Sequence, residues 1–395
     1  MAIRSATWRP AVEAPLFESL PAIKRIDVIM GVLGCLTLAG VVAGVGRLLL
    51  GLGPTTGLND LFSWGIWIGF DFGLIAFAGA GFTMAAVVHI FHFERFHAAL
   101  WPAILAGFMG YTAVLALLVL DLGRPDRFYN FMLYWNLHSP LFEISCCVLL
   151  YTTVLVIEVS PHFLARLPWR WTGPLIKVIK WFMLPVTIIG VTLSTLHQST
   201  LGTLYLNMPQ RLHPLWYTPL LPPFFYISSI MAGLSMGVLA YRAAMRVLRR
   251  DEDAHIVRGL VTAAVVAGLI YAAAKLAELW WAGDLALLWE APAMGALWLA
   301  ELGIGVALPA LLWAVPHTRR ASLVQWLVPM LLLAGVLMNR FDATLYGQVV
   351  PVSAAPYSPH LLEWISTIGI LAAALLAWLV GIRFFSGSDH AGTTH

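Results

Sequence analysis

An all-α, polytopic membrane protein is the fold class this sequence predicts, on three observations. Hydrophobic residues make up 60% of its 395 positions and charged residues only 11%, with a mean hydropathy of +0.83. That leaves too little polar surface to coat a water-soluble globule of this size. Apolar runs long enough to cross a bilayer recur along the whole chain, since about 20 helical residues span the hydrocarbon layer. The Lys and Arg residues between those runs are also unequally shared between the two sides.

The runs predict ten transmembrane helices, at 28–50, 64–91, 100–120, 141–159, 175–200, 223–247, 256–281, 291–313, 323–340 and 361–384. Residues 1–27 precede them and carry Arg4, Arg9, Lys24 and Arg25 among prolines and acids, without the short apolar run and small-residue cleavage site of a signal peptide. An outer helix at 28–50 is expected to lead into a four-helix bundle over 61–200. A second four-helix bundle covers 222–341, an outer tenth helix 360–385 and a tail 386–395. Of the 23 Lys and Arg residues, seventeen fall on the N-terminal side and five on the other, with Lys275 inside a helix. The positive-inside rule therefore makes both termini cytoplasmic. The opposite loops, 51–63, 121–140, 201–222 and 341–360, are longer and rich in aromatic, His, Pro and Asp residues, as suits a platform for another subunit.

Composition also excludes several functions. Cys35, Cys146 and Cys147 all lie in apolar segments with no CxxC or Cys/His spacing, so this chain is expected to hold no iron–sulfur cluster and no metal. The net charge of +3 follows topology and forms no nucleic-acid-binding patch. His89, His92 and His97 cluster at one membrane side and His197 at the other, so no opposed pair for haem is expected.

Against this apolar background stand Asp71, Glu143, His197, Lys275, Glu278, Glu301 and Glu363. Ionisable groups at membrane depth are costly and face a bundle interior or cavity, so they mark a functional site. Trp64, Trp67 and Asp71 follow i, i+3, i+7 spacing, which puts them on one helical face near the outer boundary. They either bond a ligand there or form an interfacial Trp belt with one satisfied Asp. Glu143 and Glu158 lie fifteen residues apart, nearly on one face and roughly 22 Å apart along the axis. Glu143 is the candidate for proton transfer, and Glu158 reads as a helix-end charge. His197 and Gln198 make the end of the fifth helix polar, and His213 lies in the loop beyond. A neutral imidazole near its working pH suits hydrogen bonding to a ligand oxygen. Tyr271, Lys275 and Glu278 share a face at i, i+4, i+7. That Lys–Glu pair is either functional or purely structural, and Glu301 lies mid-helix, where a carboxylate without a partner would be neutral by desolvation.

FSWGIWIGFDF (62–72), DLGRPDRF (121–128), HSPLFE (138–143), LHQSTLGTL (196–204), RLHPLW (211–216), the Glu278 and Glu301 positions and YSPHLLEW (357–364) run in a consistent order over nearly the whole chain. Together they resemble the NrfD/PsrC family of quinone-interacting membrane subunits, most closely its HybB type, the membrane subunit of nickel–iron hydrogenases. The resemblance implies a subunit of a respiratory oxidoreductase complex in the bacterial cytoplasmic membrane. It would pass electrons between an extracytoplasmic ferredoxin-like iron–sulfur subunit and menaquinone or ubiquinone, itself without redox cofactors, with a hydrogenase as catalytic partner and proton translocation as an added outcome. On this reading Trp67, Asp71, His197, Gln198 and His213 surround the quinone, while Glu143, Glu301, Glu278 and Lys275 move protons. His360 and Leu361 depart from the family's usual stretch, which leaves the role of Glu363 open. The alternatives are a DsrP-type quinone subunit of a sulfur-metabolism complex and a secondary transporter built on broken helices, at which Pro185, Pro309 and Pro329 hint.

Overall fold

The computed structural model describes residues 25–349 and 357–385. The segments assigned above to 1–24, to 350–356 of the last outer loop and to the tail 386–395 lie outside them. Helices account for the described chain: α1 Arg25–Leu50, α2 Ile66–Ile90, α3 Glu94–Asp121, α4 Pro140–Leu164, α5 Met183–Leu206, α6 Leu221–Leu248, α7 Ala254–Ala282, α8 Pro292–Ala314, α9 Ser322–Tyr346 and α10 Leu361–Phe385. Nine are long and apolar enough to cross a membrane, and ten when α5 is joined to the helix before it.

That junction is where the sequence expectation needs correction. In place of one helix over 175–200, a helix at Thr172–Trp181 meets α5 at a bend of 59°. Pro185 supplies the reason, because its ring displaces the carbonyl four residues back, that of Trp181, and it has no N–H to donate. The short first piece is amphipathic and largely exposed, with Lys177 and Lys180 within it.

The helices sort by burial. Only 17% of the α1 span is buried, against 72% of α6. The outer pair α1 and α10 pack along each other, with Gly40 and Gly369 so close that a Cβ built on Gly40 would sit 2.5 Å from the Gly369 Cα. Such small-residue contacts let backbones approach where no hydrophobic force drives association in lipid. Asp27 and Arg383 pair at 2.8 Å across this seam, so α1 begins and α10 ends on the same face. Central α6 packs on α7 and α9 and also on α2, α3 and α5. It thereby joins the earlier helices to the later ones.

Two of the five cations that charge counting put on the outer side, Arg47 and Arg340, are core residues. Arg340 is wholly buried, because α9 continues past it through a π-helical turn at Asp342–Tyr346. Arg47 is 2% exposed and donates to the Leu122 carbonyl. Charge counting registers a side chain's sign and cannot see its partners.

Candidate functional site

The approach to the site is set by a staple at the start of α2. Glu363, wholly buried, accepts from Gly57 N at 2.8 Å, His360 N at 2.7 Å and the Tyr357 hydroxyl at 2.6 Å. The same hydroxyl accepts from Ile66 N at 3.0 Å, satisfying one of the orphan amides at the helix start. Burial and the Glu363 carboxylate raise the Tyr357 pKa well above the usual phenol value, so it stays a donor. Gly65 makes this possible, because a Cβ there would lie 2.5 Å from the Tyr357 hydroxyl oxygen. Glu363 therefore anchors α2 to α10.

Held this way, α2 forms one wall of a cavity of about 720 Å³ whose other walls are α3, α4 and the end of α5. The lining is mostly apolar: Ile68, Phe72, Leu118, Val148 and Leu204 are typical of it. Asp71 and Asp121 are its carboxylates, and Arg124, Arg127 and Phe128 lie at its outer end. Arg124 is engaged by Asp126 at 2.8 Å on the exposed loop, and this pairing lowers the Asp126 pKa below the ordinary carboxylate value. Asp71 is only 1% exposed, and its Oδ1 has no hydrogen-bond partner among the described residues. Buried polar atoms are nearly always bonded. An unmatched carboxyl oxygen on an apolar cavity is therefore suited to a ligand with one polar end and a long apolar body, accepting from it when ionised and donating when protonated.

Several sequence candidates converge here without lining the cavity. His197 is wholly buried; its Nδ1 lies 3.2 Å from the Tyr111 hydroxyl and its Nε2 has no partner. Gln198 donates to the carbonyl of Ile75, a lining residue, at 2.8 Å, leaving its Oε1 without a partner. Tyr111 lies within electrostatic reach of Asp71. Two expected neighbours point elsewhere. Trp67 donates to Ser366 of α10 at 3.1 Å, and Trp64, which precedes α2, takes the place on the cavity wall. His213 belongs to the loop after α5, where its N–H bonds the Gly347 carbonyl at 2.8 Å and burial lowers its pKa.

A second polar centre lies among α7, α8 and α9. Lys275 Nζ reaches Glu301 Oε1 at 2.9 Å and Oε2 at 2.8 Å, Tyr271 donates to Oε1 at 2.7 Å and Asn339 to Oε2 at 3.2 Å. Arg340 extends the network to Asn339 at 2.6 Å and Ser228 at 2.8 Å. This corrects the Lys275–Glu278 pairing expected from spacing. Glu301 is ion-paired, and Lys275 faces α8 while Glu278, half-buried, joins no hydrogen bond or ion pair among the described residues. A π-helical turn, Gly303–Ala307, begins two residues after Glu301; such turns frequently sit at functional sites. There a Cβ on Gly305 would lie 2.4 Å from the Gly335 Cα, so α8 and α9 meet backbone to backbone.

On α4, Glu143 is half-buried and accepts from Thr200 of α5 at 2.7 Å. Glu158 is not a helix-end charge. It is 4% exposed and accepts from Thr187 at 3.1 Å. Sequence reasoning also passed over Asp121, Tyr111 and Arg340, although Asp121 opens a motif it had singled out and Tyr111 stands alone in an apolar span.

The chain matches the family model described as "Polysulphide reductase, NrfD" over residues 54–352. A Nitratidesulfovibrio vulgaris protein whose name states no activity is 37% identical over 365 residues, covering 89% of this chain and 91% of the relative. The menaquinone reductase integral membrane subunit of the same organism is 27% identical over 368 residues, covering 87% and 88%. The probable Ni/Fe-hydrogenase 2 b-type cytochrome subunit of Escherichia coli is 32% identical over 196 residues, and the match spans about half of each chain, 49%. With most of its length inside the family model and its helices in place, this chain belongs to the NrfD family of polysulphide reductase membrane subunits.

Proposed function

We propose that this chain is the quinone-reactive membrane subunit of a respiratory oxidoreductase complex. Two electrons arrive from an iron–sulfur partner on the face opposite the termini, and the quinone headgroup takes them beside Asp71. The observation that carries this reading is the partnerless Asp71 oxygen on an apolar cavity of about 720 Å³, the shape and polarity an isoprenoid quinone requires. The names of relatives, a menaquinone reductase subunit and a hydrogenase subunit, support the quinone and leave two catalytic partners in view. A hydrogenase is the partner favoured here, and a sulfur-metabolism complex of the DsrP type is the alternative. The chain supplies orientation and proton access while the quinone carries the redox chemistry. His197 and Gln198 back the headgroup from behind the Asp71 wall, and proton movement is assigned on this reading to Glu143 and the Glu301–Lys275 pair.

The test is Asp71→Asn in the assembled complex. Quinone reduction falls by more than about 100-fold, the range of a positioned proton donor, while dye reduction at the catalytic subunit is unchanged. Quinone turnover at the wild-type rate would refute the assignment. A transporter would require broken helices at matching positions in the two halves, but among the described residues the one sharp break precedes α5, at the face of the termini.

A further inference from the structure

We propose that Glu158 is the residue through which protons from the face of the termini reach the quinone cavity, by way of Tyr151 and Tyr111. This rests on the quinone reading above and adds the supply line it lacks. Glu158 lies within two turns of the α4 end at Leu164, and its Oε2 has no partner among the described residues. Tyr151 is seven residues earlier on α4, and on α5 Ser194 stands seven residues after Thr187. Seven-residue steps return to nearly the same helical face. The facing sides of α4 and α5 thus carry two polar rungs, Glu158 with Thr187 and Tyr151 with Ser194, separated by roughly 10 Å of helix rise.

The upper rung leads inward. Tyr151, wholly buried, packs its ring 4.2 Å, centroid to centroid, from that of Tyr111 on α3. It also lies within electrostatic reach of both Tyr111 and Glu158. Tyr111 in turn is 3.2 Å from His197 Nδ1 and within electrostatic reach of Asp71. A file of buried hydroxyl, imidazole and carboxyl groups, interrupted by the step between the rungs and with the Tyr151 hydroxyl left without a partner among the described residues, therefore leads from one end of α4 toward the cavity. No cation pairs with Glu158 among the described residues, unlike Glu301. Polar groups left so lightly bonded at membrane depth are costly to keep for packing alone.

The chemistry balances without net change in these side chains. Reducing one quinone takes two electrons from the iron–sulfur donor and two protons, forming one O–H bond at each quinone oxygen. In each transfer, Asp71 gives its proton to a quinone oxygen and is reprotonated from Tyr111, which is replenished from Tyr151 and that in turn from Glu158. Glu158 then takes its proton from water at the face of the termini. The roughly 10 Å step between the rungs is too long for direct transfer, so the route requires bridging water there.

The experiment uses the intact complex in sealed liposomes with its electron donor outside, following quinone reduction and proton uptake on each side. Glu158→Gln lowers quinone turnover at least about tenfold and removes proton uptake from the face of the termini. Dye reduction stays at the wild-type level, and Glu158→Asp recovers more activity than Gln. Tyr151→Phe gives the same loss while leaving the Glu158–Thr187 bond intact, and it decides the matter alone if Glu158→Gln does not assemble. Wild-type turnover with unchanged proton uptake in Tyr151→Phe and any assembled Glu158→Gln complex overturns the route. Failure of the quinone reading itself is distinguishable, because the unaltered complex would then reduce no quinone.

Discussion

The two buried polar centres of this protein differ in what they leave unsatisfied. Both Glu301 carboxylate oxygens are taken, by Lys275, Tyr271 and Asn339, and only at the edge of that network do Arg340 Nε and Asp342 Oδ2 stand without a partner among the described residues. Around Asp71, one carboxyl oxygen, one imidazole nitrogen of His197 and the amide oxygen of Gln198 have no partner among the described residues. A closed network holds helices in register, whereas an open one is set up to receive something. Breaking a buried pair by removing one member is strongly destabilising because it strands the other charge. Removing the charge of a carboxyl that has no counter-ion strands nothing.

Variants that separate the two centres sharpen the contrast. The largest effect on turnover comes from Asp71→Asn, whose melting temperature in detergent should match the wild type; a variant that melts early would place Asp71 with the structural network instead. The Glu158→Gln loss comes next, smaller because water can partly replace a proton carrier. The largest effect on stability is expected from Glu301→Ala, about 3–5 kcal/mol, read as a lowered denaturation midpoint. The double variant Lys275→Met with Glu301→Leu should recover most of that loss, since two apolar side chains leave no charge behind. If the double variant is also inactive in quinone reduction, the pair moves protons as well as holding helices. Tyr357→Phe removes the bonds to Glu363 and to the Ile66 amide and should cost about 1 kcal/mol, measurable by thermal denaturation. Asp126→Asn, on the exposed loop, should leave the melting temperature unchanged, because exposed ion pairs are screened by water and salt.

Much of the scaffold was legible beforehand because hydrophobic runs and positive-charge bias act locally. The start of α4 and both ends of α10 lie within a residue of expectation, and the α1–α10 seam places the described ends on one face as the charge count required. The α5 bend was legible too, in Pro185, but an apolar run of full length outweighed it. At the site, Asp71, His197, Lys275 and Glu301 are buried, as polar groups in apolar spans were expected to be, but their pairings are not those the spacing suggested. Lys275 and Glu278 share a face by arithmetic, yet a lysine side chain is long enough to cross to α8, where Glu301 offers two oxygens. Trp67 and Asp71 are four residues apart, yet the indole reaches across to Ser366. Glu158 looked like a terminal charge because helix ends cannot be fixed to within a turn by hydropathy.

By itself the sequence determined that the chain lives in a membrane, through nine or ten helices apolar enough to cross it, and it picked out some of the side chains that are costly there. Each of these follows from the price of polar groups in hydrocarbon, which is a property of the individual segment. Only the tertiary structure decided which of those side chains satisfy one another and which face a cavity. That depends on contacts between helices far apart in the chain, such as Tyr357 with Ile66 or Lys275 with Glu301, and such distances are set by packing across the whole bundle.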